Sequence, residues 1–247
     1  MKNITIDQDR LANTFVQLCE TDSPSRREGK MAAELKKIFS ALGPDESFED
    51  DSAPVTWSES GNLFFRFAGT TEQEPLFFNC HMDTVQPGIG VRVQREGDIF
   101  TSVGDTILGS DDKSGITALI EAMRIIRGHD LPFRPVEFIF TTCEEIGLLG
   151  AKALNPEHIR AKFGYALDSS GFGRVIIGAP ASNRISITVH GVAAHAGLHP
   201  EWGINAIVLA GQALAQAPCG RIDEQSTINF GTSMAGPPQT LSRKKWS

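Results

Sequence analysis

Residues 75–83 read PLFFNCHMD. The apolar run Leu76-Phe77-Phe78 leads through Asn79 and Cys80 to His81, and Asp83 follows two residues later. Short apolar runs rich in aromatics suit a strand covered on both faces, so residues 76–80 are predicted to form a buried strand. His81 and Asp83 then stand at its carboxyl end, where open α/β sheets bind ligands. Residues i and i+2 of a strand point to the same side. An imidazole and a carboxylate can thus face one site, as a metal ligand with an orienting acid behind it. The plainer alternative is a histidine making an ordinary hydrogen bond at a strand end.

The chain on either side supplies the rest of such a sheet. Upstream, Asp7 is placed to cap a helix carrying Leu11, Phe15, Val16 and Leu18. Ser25 and Glu28 form an S-x-x-E capping-box pattern before a second helix with Met31, Leu35, Ile38 and Leu42, which Gly43 is placed to end. Residues 63–67 read as a strand, and residues 85–103 as a hairpin-like excursion. Downstream, TILGSDDKSGITALIEAMRII (106–126) turns at Gly109 and opens a helix at Asp111 and Asp112, with Gly128 placed to stop it. VEFIFTT (136–142) is a second buried strand and runs into Cys143-Glu144-Glu145. A short helix at 148–154 and a strand at 165–167 ending at Asp168 follow. Strands alternating with helices indicate an α/β fold, a mostly parallel sheet flanked by helices. After Gly- and Pro-rich residues 171–180 the pattern changes. Residues 185–190 alternate as a half-exposed antiparallel strand does, residues 205–216 are helical, and residues 227–230 form a short strand. This predicts a first domain over 1–180 and an incomplete α+β domain over 181–236.

Composition limits the function classes. The 247 residues carry 40% hydrophobic and 21% charged side chains, as soluble globular proteins do. The net charge of −7, with no basic cluster before the last few residues, argues against a nucleic-acid partner. The four cysteines show no paired spacing, which points to a reducing compartment and a cytoplasmic location. The first residues lack the apolar core of a signal peptide. No apolar run is long enough to span a membrane, so no membrane partner is expected.

Four acidic or histidine-bearing sites thus fall at strand ends or helix mouths: His81 with Asp83, Asp111, Glu144 with Glu145, and Asp168. Each acid has a plain alternative as a helix cap, a solvated loop pair or a turn residue. Brought to one sheet edge they would repel one another unless cations sat between them. Imidazole nitrogen and carboxylate oxygen suit Zn²⁺, Mn²⁺ or Co²⁺.

The motifs HMDTV, LGSDDKSG, TTCEEIG, ALDSSG and HGVAAHAG, in this order, resemble the M20 family of dinuclear metallopeptidases, in particular its tripeptide aminopeptidase branch. The M28 type shares the order of acids but lacks the inserted lid. The resemblance implies two divalent ions, most often Zn, with Mn or Co as alternatives. It implies that Asp111 bridges them. His81 and Asp168 then share one ion or take one on each side of the bridge, with Glu145 on the second. Glu144 is implied as the general base, Asp83 as the acid that holds His81, and His195 in the lid as a substrate contact, often across a homodimer. The substrate implied is a short peptide with a free N-terminus. Another small amide, or no turnover at all in a metal-binding fragment, are the alternatives.

The family also carries a further histidine ligand beyond the lid, which this chain lacks, so fewer or weaker ions and little activity are expected of it. Permitted codons for residues 238–247, read one base back, encode Ala-Thr-Asn-Ile-Val-Pro-Glu-Lys-Val-Val. This resembles the family's continuation, so residues 237–247 are expected to be an out-of-frame tail of a truncated chain.

Overall fold

The computed structural model describes residues 4–169, 171, 173–179, 181–231 and 233–234. The chain forms two compact units, residues 1–171 and 172–247. In the first, strands β1 (Glu46–Glu49), β2 (Leu63–Phe67), β3 (Leu76–His81), β4 (Val93–Glu96), β5 (Ile99–Ser102), β6 (Val136–Thr141) and β7 (Gly164–Ala166) alternate with helices. The helices are α1 (Gln8–Cys19), α2 (Gly29–Leu42), α3 (Ala53–Thr56), α4 (Lys113–Gly128) and α5 (Leu149–Ala153). The central sheet has the order β1-β2-β6-β3-β7. Strands β6, β3 and β7 are parallel, while β2 is antiparallel to both β1 and β6. Four of the five strands therefore run one way, as the alternation of strands and helices predicts. Strands β4 and β5 form the expected hairpin.

The strands hold because both faces are covered. Leu63, Phe65 and Phe67 of β2 and Phe138 and Phe140 of β6 join a core with Leu18 of α1, Leu35 and Phe39 of α2, and Ile116 and Ile120 of α4. The Phe39 ring stacks on Phe65 with centroids 4.5 Å apart and leans on Phe138 and Phe140. Alternate residues of β2 point the other way, where Phe64 stacks on Phe48 at 4.6 Å. Each fully buried phenylalanine contributes roughly 1.5–3 kcal/mol, so the aromatic runs of β2 and β6 fix these strands at the centre of the sheet.

Register then sets the heights at which the chain leaves the sheet. His81 pairs with Thr141, and Asn79 with Ala166. Carried two residues on, the second pairing sets Asp168 level with His81, while Glu144 and Glu145 leave β6 just beyond that level. Helix α4 packs close on β3: a Cβ at Gly115 would lie 3.0 Å from Cys80 Sγ and 2.4 Å from Asp112 Oδ1. The mouth of α4 is thereby brought to the same edge.

Some local expectations need correction. Asp7 does cap α1, accepting from the Arg10 amide at 2.9 Å, and left-handed Gly43 ends α2. Ser25 and Glu28, however, form no capping box. Glu28 is itself the N-cap of α2 and makes no side-chain cap bond. Both side chains turn instead toward the ends of β3 and β6. Helix α4 ends at Gly128 as expected, with His129 as its C-cap.

The second unit contains α6 (Ala206–Gln216), capped by the Asn205 side chain, and the short antiparallel pair β8 (Gly220–Arg221) and β9 (Thr227–Ile228). Residues 185–190 are not in a strand. An alternating pattern becomes a strand only when a neighbour takes its backbone bonds, and no described residue pairs with them. Residues 237–247 lie outside the described residues. Cys19, Cys80 and Cys143 are buried free thiols and Cys219 is an exposed one. No helix among the described residues is long and apolar enough to cross a membrane.

Candidate metal centre

His81 closes β3 and is buried, with 2% of its surface exposed. Its Nε2 lies 3.2 Å from Asp111 Oδ1, and its Nδ1 lies 3.5 Å from Asp83 Oδ1. The second contact sets Asp83 beside the ring at a separation longer than a well-formed hydrogen bond, and the buried Nδ1 has no hydrogen-bond partner among the described residues. Asp111 sits at the mouth of α4 behind a cis peptide to Asp112, and 69% of its side chain is exposed. Glu144 and Glu145 follow β6 and are half-buried, while Asp168 follows β7 and is exposed.

Ligand atoms of His81, Asp111 and Glu145 all lie within 4.8 Å of one another, and so do those of His81, Glu144 and Asp168. Five of the residues singled out in the sequence thus share one edge. Asp83 stands behind them, fully buried. His195 belongs to the second unit, exposed, where its Nδ1 accepts from the Gly197 amide at 3.2 Å.

The electrostatics carry the marks of crowded acid. Burial raises the Glu144 carboxyl; the charge of His81 opposes this, and Asp168, Asp83 and Asp111 add to it. Glu145 is raised in the same way by burial, against His81, with Glu144, Asp111 and Asp83 adding. Asp168 is raised by burial, against His81, with Asp111 adding. Asp112 is pushed up to about 7, chiefly by burial. For His81, burial alone would lower the pKa, but Asp83, Asp112 and Asp111 outweigh it and raise the imidazole to about 10. Among the described residues no lysine or arginine pairs with Asp111, Glu144, Glu145 or Asp168. Like charges disfavour one another's ionised forms, and a divalent cation relieves that repulsion. A set of one imidazole and several carboxylates, open on one side, fits Zn²⁺, Mn²⁺ or Co²⁺.

Asp83 does more than face His81. Its Oδ1 accepts the Glu144 amide at 2.9 Å and its Oδ2 the Glu145 amide at 3.2 Å. Ser25 Oγ donates to Oδ2 at 2.6 Å. Burial, which would raise the Asp83 pKa, is outweighed by His81, Ser25 and the Glu144 amide, so the group is held below the usual carboxylate range. Ser25 was missed as a site residue because its pattern with Glu28 matches a helix cap; the only sequence signal for it was that same pair.

A parallel sheet edge that gathers such a set is the build of a metal-dependent hydrolase. The chain belongs to peptidase family M28, whose model matches residues 62–196; residues 178–241 match the M20 peptidase dimerisation domain, which makes the build M20-like. The YqjE protein of Bacillus subtilis strain 168 is 41% identical over 232 residues, covering 94% of this chain and 62% of its own length. The crystal structure of aminopeptidase PepT from Bacillus cereus ATCC 10987 superposes with a TM-score of 0.78 at 41% identity, over 95% of this chain and 63% of that one. A tripeptidase from Staphylococcus aureus subsp. aureus mu50 gives 0.79 at 33% identity, with the same coverage of 95% and 63%. The chain thus spans less than two thirds of the length of these relatives.

Proposed function

We propose that this chain is the metal-binding portion of a tripeptidase-like aminopeptidase of the cytoplasm, which hydrolyses short peptides with a free N-terminus. One observation carries the reading: His81, Asp111, Glu144, Glu145 and Asp168 offer ligand atoms within 4.8 Å in two trios, and no lysine or arginine among the described residues pairs with these acids. Similarity to the aminopeptidase and tripeptidase structures supports the substrate class. Three of its four cysteines are buried free thiols, which agrees with a reducing compartment.

In this reading His81, Asp111, Glu145 and Asp168 would hold two divalent ions, most often Zn. Bound there, the ions supply Lewis acidity for amide hydrolysis. Glu144 takes the proton of the attacking water and passes it to the leaving amine. Its half-buried carboxyl, raised by burial and neighbouring acids, suits a base that must accept and then release a proton. Asp83 keeps His81 aligned and, through two amides, aims Glu144 and Glu145. The first unit with residues up to 180 forms the catalytic part, and residues 181–236 form part of a lid whose His195 meets the substrate, the lid also serving as the surface of a homodimer.

Titration of the chain with Zn²⁺, Mn²⁺ and Co²⁺ tests the site, followed by turnover of a tripeptide and of its N-acetylated form. The expected result is binding that is lost in His81→Ala, with the free-amine peptide preferred. Binding indifferent to His81 would overturn the metal site. Preference for an N-acyl amino acid would replace the peptidase with a deacylase. Tight binding without any turnover would reduce the chain to a metal-binding fragment.

A further inference from the structure

In the turn that carries Glu144 and Glu145 the carbonyls of residues 142–144 receive the amides of residues 147–150, but the turn's own amides find their acceptors on side chains. Four successive amides, those of residues 142 to 145, are each received by a side chain from elsewhere in the sequence. The Thr142 amide donates to Asn62 Oδ1 at 3.1 Å and the Cys143 amide to Glu28 Oε1 at 3.0 Å. The Glu144 and Glu145 amides donate to the two oxygens of Asp83 at 2.9 and 3.2 Å. Asn62, Glu28 and Asp83 are all fully buried. Buried backbone donors must find acceptors, and here three polar side chains meet that need in place of a strand.

Glu28 is the member with no other evident purpose. Its carboxylate is buried, faces no lysine or arginine at ion-pair distance among the described residues, and does not cap its own helix. Oε1 receives the amides of Arg26 and Cys143 together with the Cys143 thiol, and Oε2 receives Ser58 Oγ. Cys143 has φ +52°, the left-handed region that non-glycine residues enter at a cost and keep only when their surroundings hold them there. That conformation turns the chain out of β6, so that the next two residues face His81. The other end of the turn is closed equally tightly: Asn62 Nδ2 donates to the Gly150 carbonyl at 3.0 Å, and a Cβ on Gly150 would lie 2.3 Å from Thr142 O. Ser25, three residues before Glu28, donates to Asp83. One short segment, residues 25–28, therefore braces the turn through both Cys143 and Asp83.

We propose that Glu28 and Ser25 are positioning residues for the Glu144–Glu145 pair. Glu28 fixes the left-handed Cys143, Ser25 fixes the acceptor that aims the pair, and neither touches a metal ligand's donor atom or substrate. This inference rests on the proposed role of the pair, while its physical core, a side-chain clamp on residues 142–145, stands apart from that role.

The test compares Glu28→Ala, Glu28→Gln and Ser25→Ala with the wild-type chain in amide hydrogen exchange over residues 142–148, in Zn²⁺ affinity, and in kcat and KM for a tripeptide. In Glu28→Ala the Cys143, Glu144 and Glu145 amides should exchange at least about tenfold faster, Zn²⁺ should bind about tenfold or more weakly, and kcat should fall while KM holds. Glu28→Gln keeps an oxygen for the Cys143 amide and should restore all of these to within about threefold. Ser25→Ala should show the same pattern as Glu28→Ala, at smaller size.

Unchanged exchange and affinity in Glu28→Ala would overturn the proposal. So would a Glu28→Gln variant as impaired as the alanine form, since that would make the buried charge the cause. If Glu28→Ala does not fold, Ser25→Ala decides: no change in exchange or affinity there overturns the clamp. A wild-type chain that binds no metal would remove the proposed function but leave the exchange comparison to judge the clamp.

Discussion

The two edges of the central sheet handle charge in opposite ways. At the edge where β1, β6 and β7 begin, Glu46 and Glu137 each have a cation of the protein. Arg66 Nη1 lies 2.6 Å from Glu46, its Nε lies 3.4 Å from Glu137, and it also donates to the His158 carbonyl. Arg160 lies 2.6 Å from the other oxygen of Glu46. Glu137 Oε1 is satisfied further by the Arg160 and Ala161 amides, and Glu46 is held below its usual pKa, first by its hydrogen bond from Arg66. At the carboxyl edge, among the described residues, His81 alone faces Asp83, Asp111, Asp112, Glu144, Glu145 and Asp168; Asp83 is lowered by its partners, while Asp112, Glu144, Glu145 and Asp168 are raised. A balanced cluster closes upon itself. An unbalanced one keeps its acids ready for a cation from outside, at the cost of mutual repulsion in its absence.

If that contrast is sound, the largest effect falls on chemistry at the carboxyl edge. Glu144→Gln should cut turnover by roughly three orders of magnitude or more while bound metal stays, read by steady-state kinetics beside metal analysis. Near-wild-type rates would make Glu144 a bystander. Next comes the balanced edge. Glu137→Ala takes from buried Arg66 the more buried of its two carboxylates and leaves the Arg160 and Ala161 amides without their acceptor, and should cost about 1–3 kcal/mol of stability, with metal affinity unmoved. A denaturant midpoint shifted by much less would show that the pair is not what closes that edge.

Asp83→Asn comes third. It weakens the hold on His81 and on two amides and should lower metal affinity about 10–100-fold, measured by calorimetry, with little loss of fold. Equal affinity would confine Asp83 to packing. The smallest effect is on pH dependence. In the metal-free chain the His81 imidazole, raised to about 10, holds a proton that a metal must displace, and burial with the neighbouring acids pushes the Glu144, Glu145 and Asp168 carboxyls in the same direction. More protons are bound without metal than with it, so acid favours the metal-free form. Affinity should fall as pH drops from 8 to 6, by about tenfold per pH unit for each proton displaced. A flat profile would mean the edge is already neutralised.

Much of this was legible in the sequence because it depends on local pattern. The runs LFFRF and VEFIFT are apolar along one whole face and carry one charge each, Arg66 and Glu137, on the other, which still marks them as buried strands. His81, Glu144 and Asp168 each directly follow or close such a run, so they had to leave the sheet at one end if the strands were parallel. Asp111 before an amphipathic helix had to lie at its mouth. The pattern failed where two structures share one signature. Ser25 and Glu28 read as a capping box, and residues 185–190 read as a strand, because a periodic or spaced pattern does not say whether its partner is present.

The sequence alone determined which segments are buried and which chemistry stands at their ends, since burial and periodicity are properties of neighbouring residues. The tertiary structure decided the rest: that Asp83 spends its oxygens on Glu144 and Glu145, that Glu28 serves Cys143 rather than its own helix, and that the acids of one edge have partners while those of the other do not. The physical reason is range. A hydrogen bond reaches about 3 Å, and the partners here lie 58 to 115 residues apart along the chain, so only the register of the folded sheet can bring them together.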